Sequence, residues 1–478
     1  MTVSTRPSNV SARRWVTADD RTASERRGKG RGEPADATAV GAGRRIQLGP
    51  DEVVLEDFET HRAILAGLAS SKSELSPSEE SLRELRSLAA TVGAATVSTH
   101  LQVRDAPDPA TYVGSGKVAE IAREALAHDA TLIVFDDELS PAQLRNLEEA
   151  FGGRRVLDRT QLILDIFAAN ATTREGRVQV EVAQLRYRLP RLRGRGAYLS
   201  RLGGGIGTRG PGETVLEVDR RRIQERLARL GRELESLDRT RRTQRKGRRR
   251  GSRPVVALVG YTNAGKSTIL NALSGSDTLV RNRLFSTLDT TVRRVSLPGG
   301  RTILVGDTVG FVRKLPHELV RAFHSTLEEI AEADLVVQVV DASTADPFEH
   351  LRVVRSVLHD IGASGLPSLV VWNKADRVDA TVMKRLLDRE DGSVATAAAE
   401  GDGMDELVVG ISDALDRNSR LVEMFVPYAR GDVLSGLHAD AEVVDESALE
   451  TGVQVTARVR PDAAARYAQF LTGGESGD

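Results

Sequence analysis

The residues VVALVGYTNAGKST, at positions 255–268, restrict the fold of this chain more than any other segment. The apolar, β-branched run Val255–Val259 is typical of a strand that is buried on both faces. Gly260 ends this run, and Gly265-Lys266-Ser267 follow after four residues. This spacing predicts a loop whose backbone N–H groups surround a phosphate, followed by a helix whose N-terminus favours negative charge. A ligand-free glycine turn would need four constrained positions to coincide, so we expect a bound nucleotide phosphate.

Composition limits the remaining possibilities. A chain of 478 residues is expected to hold about three domains. Its hydrophobic content of 40% is sufficient for cores, and its aromatic content of 4% predicts that these cores are aliphatic. The absence of cysteine excludes disulfides, thiolate zinc sites and a cysteine nucleophile. No apolar run approaches the roughly 20 residues of a membrane span, and the formal net charge is -1. We therefore expect a cytoplasmic, monomeric protein.

The first half of the chain contains two regions of different character. Residues 1–50 are rich in Arg, Ser, Gly and Ala and are expected to form a disordered basic tail. Residues 51–175 alternate between strand-like and helix-like patterns, which predicts a small N-terminal α/β domain. Within it, the sequence GSGK at Gly114–Lys117 precedes a helical pattern. We interpret it as a helix start rather than as an anion site.

Residues 176–250 have the pattern of an antiparallel helical hairpin. Two segments carry apolar residues at helical spacing, namely Val178, Val182, Leu185 and Leu189, and then Ile223, Leu227, Leu230, Leu234 and Leu237. The expected loop contains Gly203, Gly204, Gly205, Gly207, Gly210 and Gly212. Seven arginines and no acidic residue occur between Arg186 and Arg209, and a second acid-free run spans Arg239–Arg253. Since arginine pairs with phosphate and stacks on exposed bases, this loop predicts RNA contact.

The second half predicts one large and one small unit. In residues 251–418 strand-like runs alternate with helices, which predicts a mostly parallel sheet with helices on both faces. Residues 419–478 include an alternating segment at Val453–Val459 and are expected to form a small α+β domain. The predicted fold class is therefore a multidomain α/β protein.

A second motif, Asp307-Thr308-Val309-Gly310, follows the apolar run Ile303–Val305. In nucleotide switches a carboxylate at the Asp307 position holds Mg²⁺ through water, and a glycine amide at the Gly310 position contacts the γ-phosphate. The polar segment FSTLDTT, at 285–291, can order on the γ-phosphate and relax when it is lost. Thr287 is the first candidate for a hydroxyl ligand of Mg²⁺ besides Ser267, and Thr291 is the alternative.

The third motif, Asn373-Lys374-Ala375-Asp376, follows the apolar run Leu369–Trp372. The Asp376 carboxylate can accept hydrogen bonds from both N1–H and the 2-amino group of guanine. Adenine offers neither donor, and a buried carboxylate without a partner is heavily penalised. The motif therefore predicts GTP rather than ATP.

These motifs resemble those of the HflX family of translation-factor-related GTPases, and the match runs from about residue 55 to the C-terminus. Its most specific parts are TREGRVQVEVAQLRYRLPRLRG (173–194), LSRLGGGIGTRGPGET (199–214) and LEVDRRRI (216–223). The family switch sequence is similar to FATLDPT, which maps its Mg²⁺-binding threonine to Thr287 and places Thr290 where the family has proline. Its Ser-Ala nucleotide-binding turn falls at Ala397-Ala398, so one hydroxyl is lost. The resemblance implies a GTPase that binds the large ribosomal subunit and helps to split ribosomes under stress.

Together, the motifs and the resemblance define the expected site. The expected nucleotide contacts are Gly260, Tyr261, Thr262, Asn263, Ala264, Gly265, Lys266, Ser267, Phe285, Ser286, Thr287, Leu288, Asp289, Asp307, Thr308, Val309, Gly310, Asn373, Lys374, Ala375, Asp376, Ala397 and Ala398. Lys266, Thr287 and Gly310 are the expected catalytic residues, and Ser267 and Thr287 are the expected Mg²⁺ ligands. Asn263 lies where some potassium-activated GTPases coordinate K⁺; a plain turn residue is the alternative.

Phe311 occupies the position after the switch glycine, where many GTPases carry a glutamine that orients water. A phenyl ring can neither orient nor deprotonate water, so we expect slow intrinsic hydrolysis that a partner stimulates. Lys314, His317 and Glu318 follow it and are interpreted as surface residues, because no second group is placed to orient His317 as a general base.

Two classes of function fit these features. The leading interpretation is an enzyme that couples GTP hydrolysis to the engagement and release of a ribosomal particle. The alternative is a GTP-gated RNA-binding module, in which nucleotide occupancy rather than hydrolysis does the work. A third class, a GTPase that assists tRNA modification, has no cysteine or folate-like motif in its favour.

Overall fold

The computed structural model describes residues 61–192, 211–249, 253–275, 284–285, 291–298, 301–314, 319, 324–417, 419–459, 464 and 466–472. The expectations for the basic tail, for most of the glycine- and arginine-rich loop, for Ser286–Asp289 and for His317 and Glu318 lie outside the described residues.

The N-terminal region is built on a four-stranded parallel sheet with the strand order β2-β1-β3-β4. Its strands are β1 (Arg62–Ala69), β2 (Ala95–Val103), β3 (Leu132–Phe135) and β4 (Arg155–Asp158). The helices that accompany them are Leu75–Thr91, Ser115–Ala127, Pro141–Ala150 and Arg159–Asn170. All four residues of β3 are buried, as expected for an apolar strand with helices on both faces. The alternation therefore produces the predicted α/β class, although β4, with only two apolar residues between Arg155 and Asp158, shows no strand pattern in the sequence.

Local side-chain chemistry sets where these helices begin. Ser140 accepts a hydrogen bond from the Gln143 backbone amide at 3.2 Å, and the Gln143 side chain accepts one from the Ser140 amide at 2.9 Å. This reciprocal pair is a capping box, and Pro141 at the first helical position reinforces it. Gly114 directly precedes the helix Ser115–Ala127, so the helix-start interpretation of GSGK is confirmed.

The hairpin consists of the helices Arg174–Arg191 and Pro211–Arg249. Arg174 pairs with Glu233 and Arg226 pairs with Glu181, each at 2.7 Å, so the two helices run antiparallel. Their shared apolar seam consists of Val178, Val182 and Leu230, with Leu185, Leu227 and Leu234 packed against it. The predicted antiparallel hairpin is confirmed.

The predicted extent of the hairpin loop is wrong at its C-terminal end. Gly212 was expected in the loop, but the second helix begins at Pro211 and includes Gly212. Proline suits the first position of a helix, because its fixed φ is already helical and its missing N–H would have no partner there. The loop is accordingly shorter than the glycine pattern suggested.

The third region contains a six-stranded sheet with the order β10-β9-β8-β5-β7-β6. Its strands are β5 (Val255–Gly260), β6 (Thr291–Ser296), β7 (Thr302–Asp307), β8 (Leu335–Asp341), β9 (Ser368–Asn373) and β10 (Val394–Thr396). The helices are Lys266–Ser274, His324–Ala331, Pro347–Asp360, Ala380–Arg389 and Met404–Arg417. Only β6 pairs antiparallel, with β7, so the predicted mostly parallel sheet is confirmed.

The C-terminal region has a three-stranded antiparallel sheet with the order β11-β13-β12. Its elements are β11 (Arg420–Pro427), the helix Gly431–Asp440, β12 (Glu442–Leu449) and β13 (Gly452–Val459). Along β13, Val453, Val455, Ala457 and Val459 are buried, which matches the alternation in the sequence. Among the described helices, none combines the length and the apolar character needed to span a membrane.

A carboxylate lies between the N-terminal sheet and the hairpin. Asp165 accepts hydrogen bonds from Gln161 Nε2 at 2.7 Å and from Gln184 Nε2 at 3.3 Å, while Arg155 lies 3.9 Å away. Burial raises the pKa of Asp165 to about 6, because the charges of Arg155 and Arg188 do not compensate for the lost hydration.

This raised pKa predicts a pH-dependent gain from the substitution Asp165→Asn. The folded state holds the Asp165 proton up to about pH 6, so this carboxyl stabilises the fold below its unfolded pKa and loses that contribution as the pH rises through 6. At pH 7.5 the variant should have a Tm several degrees above that of the wild type, and at pH 5, which lies between the unfolded and folded pKa values, about half of this gain should remain. Thermal melts followed by circular dichroism test this, with the exposed Asp360→Asn as control. Equal gains at both pH values would contradict the argument.

Candidate nucleotide-binding site

The phosphate loop connects β5 to the helix Lys266–Ser274 at the carboxyl edge of the six-stranded sheet. In this sheet β7 lies on one side of β5 and β8 on the other, so the chain changes direction across the sheet at β5. Open α/β sheets bind ligands at the carboxyl ends of their strands next to such a switch point. The fold therefore places the loop where a ligand is expected.

Two glycines in this loop are required by close backbone approaches. Gly265 has φ of 98°, and a Cβ at this position would lie 2.1 Å from Asn373 Nδ2. A Cβ on Gly260 would lie 2.2 Å from the Val339 carbonyl oxygen of β8. Asn263 also adopts a positive φ of 60°, which asparagine tolerates better than most residues. The loop is therefore closed tightly against the neighbouring strands.

Lys266 is folded into this loop. Its Nζ donates to the Gly260 carbonyl at 3.1 Å and to the Tyr261 carbonyl at 2.9 Å, and only 6% of the residue is exposed. Burial lowers the pKa of Lys266 to about 8, and the nearby Asp307 partly opposes this shift. The ammonium group thus lies among carbonyl oxygens inside the loop, where it can meet an incoming phosphate.

Oxygen donors suited to Mg²⁺ lie next to the loop. Ser267 Oγ donates to Asp307 Oδ2 at 2.5 Å, and Asp307 is buried at the end of β7. A hydroxyl beside a carboxylate fits the preference of Mg²⁺ for oxygen ligands. Thr291, the first residue of β6, pairs in register with Asp307, whereas Thr287 lies outside the described residues. The choice between these two threonines stays a prediction.

Gly310 packs directly against the loop. A Cβ on Gly310 would lie 2.8 Å from Thr262 Cα and 3.1 Å from Lys266 Nζ. The adjoining backbone is bonded to the loop in both directions, since the Thr262 amide donates to the Phe311 carbonyl at 2.8 Å and the Phe311 amide donates to the Gly260 carbonyl at 3.0 Å. The Gly310 amide is therefore held near the expected γ-phosphate position.

The side chains around Gly310 point into the core. The Thr308 hydroxyl donates to the Leu258 carbonyl at 2.7 Å, and Val309 is buried with Phe285 and Phe311 in one hydrophobic cluster. Phe311 is 1% exposed. Nucleotide contacts at Thr308 and Val309 would accordingly come from their backbone, and the Phe311 ring supplies no polar group.

Asn373 connects the third motif to the loop. Its Nδ2 donates to the Ala264 carbonyl at 2.8 Å, and its Oδ1 accepts from the Thr396 hydroxyl at 3.1 Å and from the Ala398 amide at 3.2 Å. One buried side chain thereby fixes the phosphate loop relative to the Ala397-Ala398 turn, where base contacts are expected.

The remaining residues of the third motif lie at the end of β9. Lys374 has φ of 63°, and its Nζ donates to Asp341 Oδ2 at 2.6 Å. The side chain of Asp376 is 27% exposed, and Arg377 Nε lies 3.5 Å from its carboxylate. Asp376 is therefore accessible to a base, as its predicted role in guanine recognition requires.

Contacts from the N-terminal sheet also reach this site, and no motif predicts them. The Tyr261 hydroxyl donates to Glu84 Oε2 at 2.7 Å, although the two residues are 177 positions apart. Lys314, which was expected as a plain surface residue, is 43% exposed and pairs with Asp136 at 2.8 Å and Asp137 at 2.5 Å. Contacts of this kind depend on how separate elements pack, and a local sequence pattern does not record that.

Because Gly265 lies so close to Asn373, a side chain at position 265 should weaken nucleotide binding. Gly265→Ala adds a methyl group where there is no space and strains a left-handed residue, which should weaken both GTP and GDP binding at least ~10-fold, or ~1.4 kcal/mol. Gly275→Ala is the matched control, because Gly275 ends the same helix with φ of 62° and has no atom within 4 Å of its Cβ position. Fluorescent-nucleotide titration measures both affinities. Equal affinities in the two variants would refute the close-approach argument.

Family models match three successive parts of the chain. A model described as GTP-binding GTPase N-terminal matches residues 79–168, and one described as GTP-binding GTPase Middle Region matches residues 170–248. A third, described as 50S ribosome-binding GTPase, matches residues 255–374.

Individual proteins are similar over most of the chain. The GTPase HflX of Caldanaerobacter subterraneus subsp. tengcongensis is 44% identical over 413 residues, which cover 86% of this chain and 94% of that protein. The GTPase HflX of Alkalihalophilus pseudofirmus is 51% identical over 299 residues, or 63% of this chain and 70% of that protein. A GTP-binding protein of Sulfolobus solfataricus, solved in complex with GDP, is 24% identical with a TM-score of 0.40, covering 75% of this chain and 99% of that one. This chain belongs to the HflX family and is a GTPase.

Proposed function

We propose that this GTPase uses Mg²⁺-dependent GTP hydrolysis to control its binding to the large ribosomal subunit, and that it promotes ribosome splitting or rescue under stress. The observation that carries the proposal is the antiparallel hairpin of Arg174–Arg191 and Pro211–Arg249, whose connecting segment is rich in arginine and glycine. The description of the family model for residues 255–374 as a 50S ribosome-binding GTPase supports it.

The charge of the hairpin suits ribosomal RNA. Arg221 and Arg222, on the second helix, have side chains that are 79% and 76% exposed. Exposed guanidinium groups can pair with phosphates and release the counterions that surround a polyanion. The sequence of the connecting segment adds further arginines, namely Arg193, Arg195, Arg201 and Arg209.

The site residues would have separate roles in GTP hydrolysis. Lys266 would bind the β- and γ-phosphates, and the Gly310 amide would contact the γ-phosphate. Ser267 and Thr287 would hold Mg²⁺, with Asp307 acting through water, and the ion would neutralise charge that develops on the phosphates. Asp376 would select guanine. The Phe311 ring supplies no polar group in place of the glutamine, so the slow step should depend on contacts that a partner supplies.

Stimulation by the partner is directly testable. Saturating large ribosomal subunits should raise kcat for GTP at least ~10-fold, because docking fixes the switch segments in their reactive arrangement. Replacing residues 195–209 by a glycine-serine linker of equal length should abolish this stimulation while leaving GDP affinity unchanged. Phosphate-release kinetics with and without purified subunits provide the measurement. An unchanged rate with bound subunits would overturn the proposal, and full stimulation of the linker variant would overturn the role of the hairpin.

The alternative function, a GTP-gated RNA-binding module, differs in what drives subunit release. If occupancy alone does the work, a non-hydrolysable GTP analogue should support ribosome splitting as well as GTP does. If hydrolysis is required, the analogue should leave the protein bound without turnover. Light scattering of ribosomes separates the two outcomes.

We extend the proposal to K⁺ as an activating ion near the phosphates. Asn263 supports this, since it lies exposed in the phosphate loop and its backbone is already left-handed. A bound cation there would stabilise the charge that develops during hydrolysis. Intrinsic hydrolysis should be several-fold faster in KCl than in NaCl at equal ionic strength, and Asn263→Ala should remove the difference. Equal wild-type rates in the two salts would eliminate the idea.

A further inference from the structure

The hydroxyl of Tyr261 connects three separate segments. It donates to Glu84 Oε2 at 2.7 Å and accepts from the Arg313 backbone amide at 2.5 Å. Tyr261 belongs to the phosphate loop, Glu84 to the helix Leu75–Thr91, and Arg313 to the segment that follows Gly310. Its ring is 4% exposed and stacks on His350 with a centroid distance of 4.1 Å and an interplanar angle of 3°. The hydroxyl is therefore fixed in position by the packing of its ring.

The acceptor of this hydrogen bond is also held in one place. Arg159 donates to Glu84 Oε1 at 2.5 Å and to Asp136 Oδ1 at 2.7 Å, and its side chain is only 2% exposed. Ser81 Oγ donates to the other Asp136 oxygen at 2.7 Å. The buried guanidinium of Arg159 holds both carboxylates in fixed orientations, because moving either one away would leave a buried charge without its partner.

The same network anchors the segment after Gly310. Arg313 Nη2 donates to Glu80 at 3.0 Å, and Lys314 Nζ donates to Asp136 at 2.8 Å. Only two residues separate Gly310 from Arg313. Since Gly310 itself packs on Thr262, the anchoring of Arg313 limits how far the Gly310 amide can move from the phosphate loop.

We propose that Tyr261 is a positioning residue for GTP hydrolysis, whose hydroxyl, oriented by Glu84, keeps the Gly310 amide next to the phosphate loop in readiness for the γ-phosphate. Hydrogen-bond donors fixed before the reaction avoid a reorganisation cost when charge develops. A helix of the N-terminal region would thereby contribute to hydrolysis at a site on the six-stranded sheet. The role concerns hydrolysis by the protein alone and does not depend on the ribosome.

The proposal predicts that loss of the Tyr261 hydroxyl affects the binding of GTP but not that of GDP. GDP lacks the γ-phosphate, so its affinity should not depend on where the Gly310 amide lies. A residue that merely supported the loop would instead affect both nucleotides equally. Burial raises the pKa of the Tyr261 hydroxyl, which keeps it a donor to Glu84 over the whole range of an assay.

Tyr261→Phe tests the proposal, because it retains the stacked ring and removes only the hydroxyl. We expect kcat without ribosomes to fall about 10-fold, which corresponds to about 1.4 kcal/mol. The affinity for a non-hydrolysable GTP analogue should also fall, while GDP affinity stays within twofold of wild type. Tyr187→Phe is the matched control, since Tyr187 is equally buried and its hydroxyl bonds to the Asp158 carboxylate. It should leave all three quantities unchanged.

Two results would overturn the proposal: wild-type kcat in Tyr261→Phe, or equal losses of GDP and analogue affinity. Glu84→Ala provides an independent arm, because it removes the acceptor and leaves the tyrosine. If the hydrogen bond acts as proposed, the double variant Tyr261→Phe/Glu84→Ala should have a kcat no lower than that of the slower single variant. If the two reductions in kcat instead multiply fully, the two residues act separately. Thermal melts confirm that each variant is folded, and its unchanged GDP affinity reports an intact loop.

Discussion

The nucleotide site depends on the approach of two neighbouring strand ends to the phosphate loop. Gly265 reaches Asn373 Nδ2 so closely that no side chain fits, and Gly260 approaches the Val339 carbonyl of β8 in the same way. These approaches allow Asn373 to donate to the Ala264 carbonyl, and they place the loop at the switch point of the sheet. The predicted phosphate-binding and base-binding segments are thereby held by one residue, since the same Asn373 side chain also accepts a hydrogen bond from the Ala398 amide.

Those parts of the fold that rest on local chemistry could be predicted from the sequence. The strand Val255–Gly260, the helix after Gly265 and the apolar seam of the hairpin all follow from periodicity and from glycine positions. Short or edge elements could not be predicted in this way. β4 has only two apolar residues, Val156 and Leu157, between Arg155 and Asp158, and β6 is an edge strand whose register with β7 depends on tertiary pairing. The glycine pattern predicts a loop that includes Gly212, but Pro211 begins the helix, so the pattern does not locate the end of the loop.

The same distinction, between local and long-range contacts, applies to the residues of the candidate site. Motif spacing predicts residues that would contact a ligand from within the motif itself, such as Lys266 through its ammonium group and Gly310 through its backbone amide. It does not identify residues that support them from a distant part of the chain. Glu84 lies on a helix with an ordinary amphipathic pattern, and nothing near it in the sequence marks it as the acceptor for Tyr261. Similarly, nothing in the sequence around Lys314 distinguishes it from an ordinary surface lysine. Its contact with Asp136 arises only from the packing of the fold.

These long-range contacts give the N-terminal sheet a physical route to the nucleotide. Phe285, which begins the segment expected to respond to the γ-phosphate, packs on Phe167 with a ring-centroid distance of 4.5 Å, and its carbonyl accepts from Asn170 at 2.9 Å. Both partners lie at the end of the helix Arg159–Asn170, and the first hairpin helix begins four residues later at Arg174. A displacement of the hairpin on binding RNA would therefore act on a helix that already holds this segment. The order of the elements thus connects the hairpin to the nucleotide site through packed side chains rather than through a flexible linker.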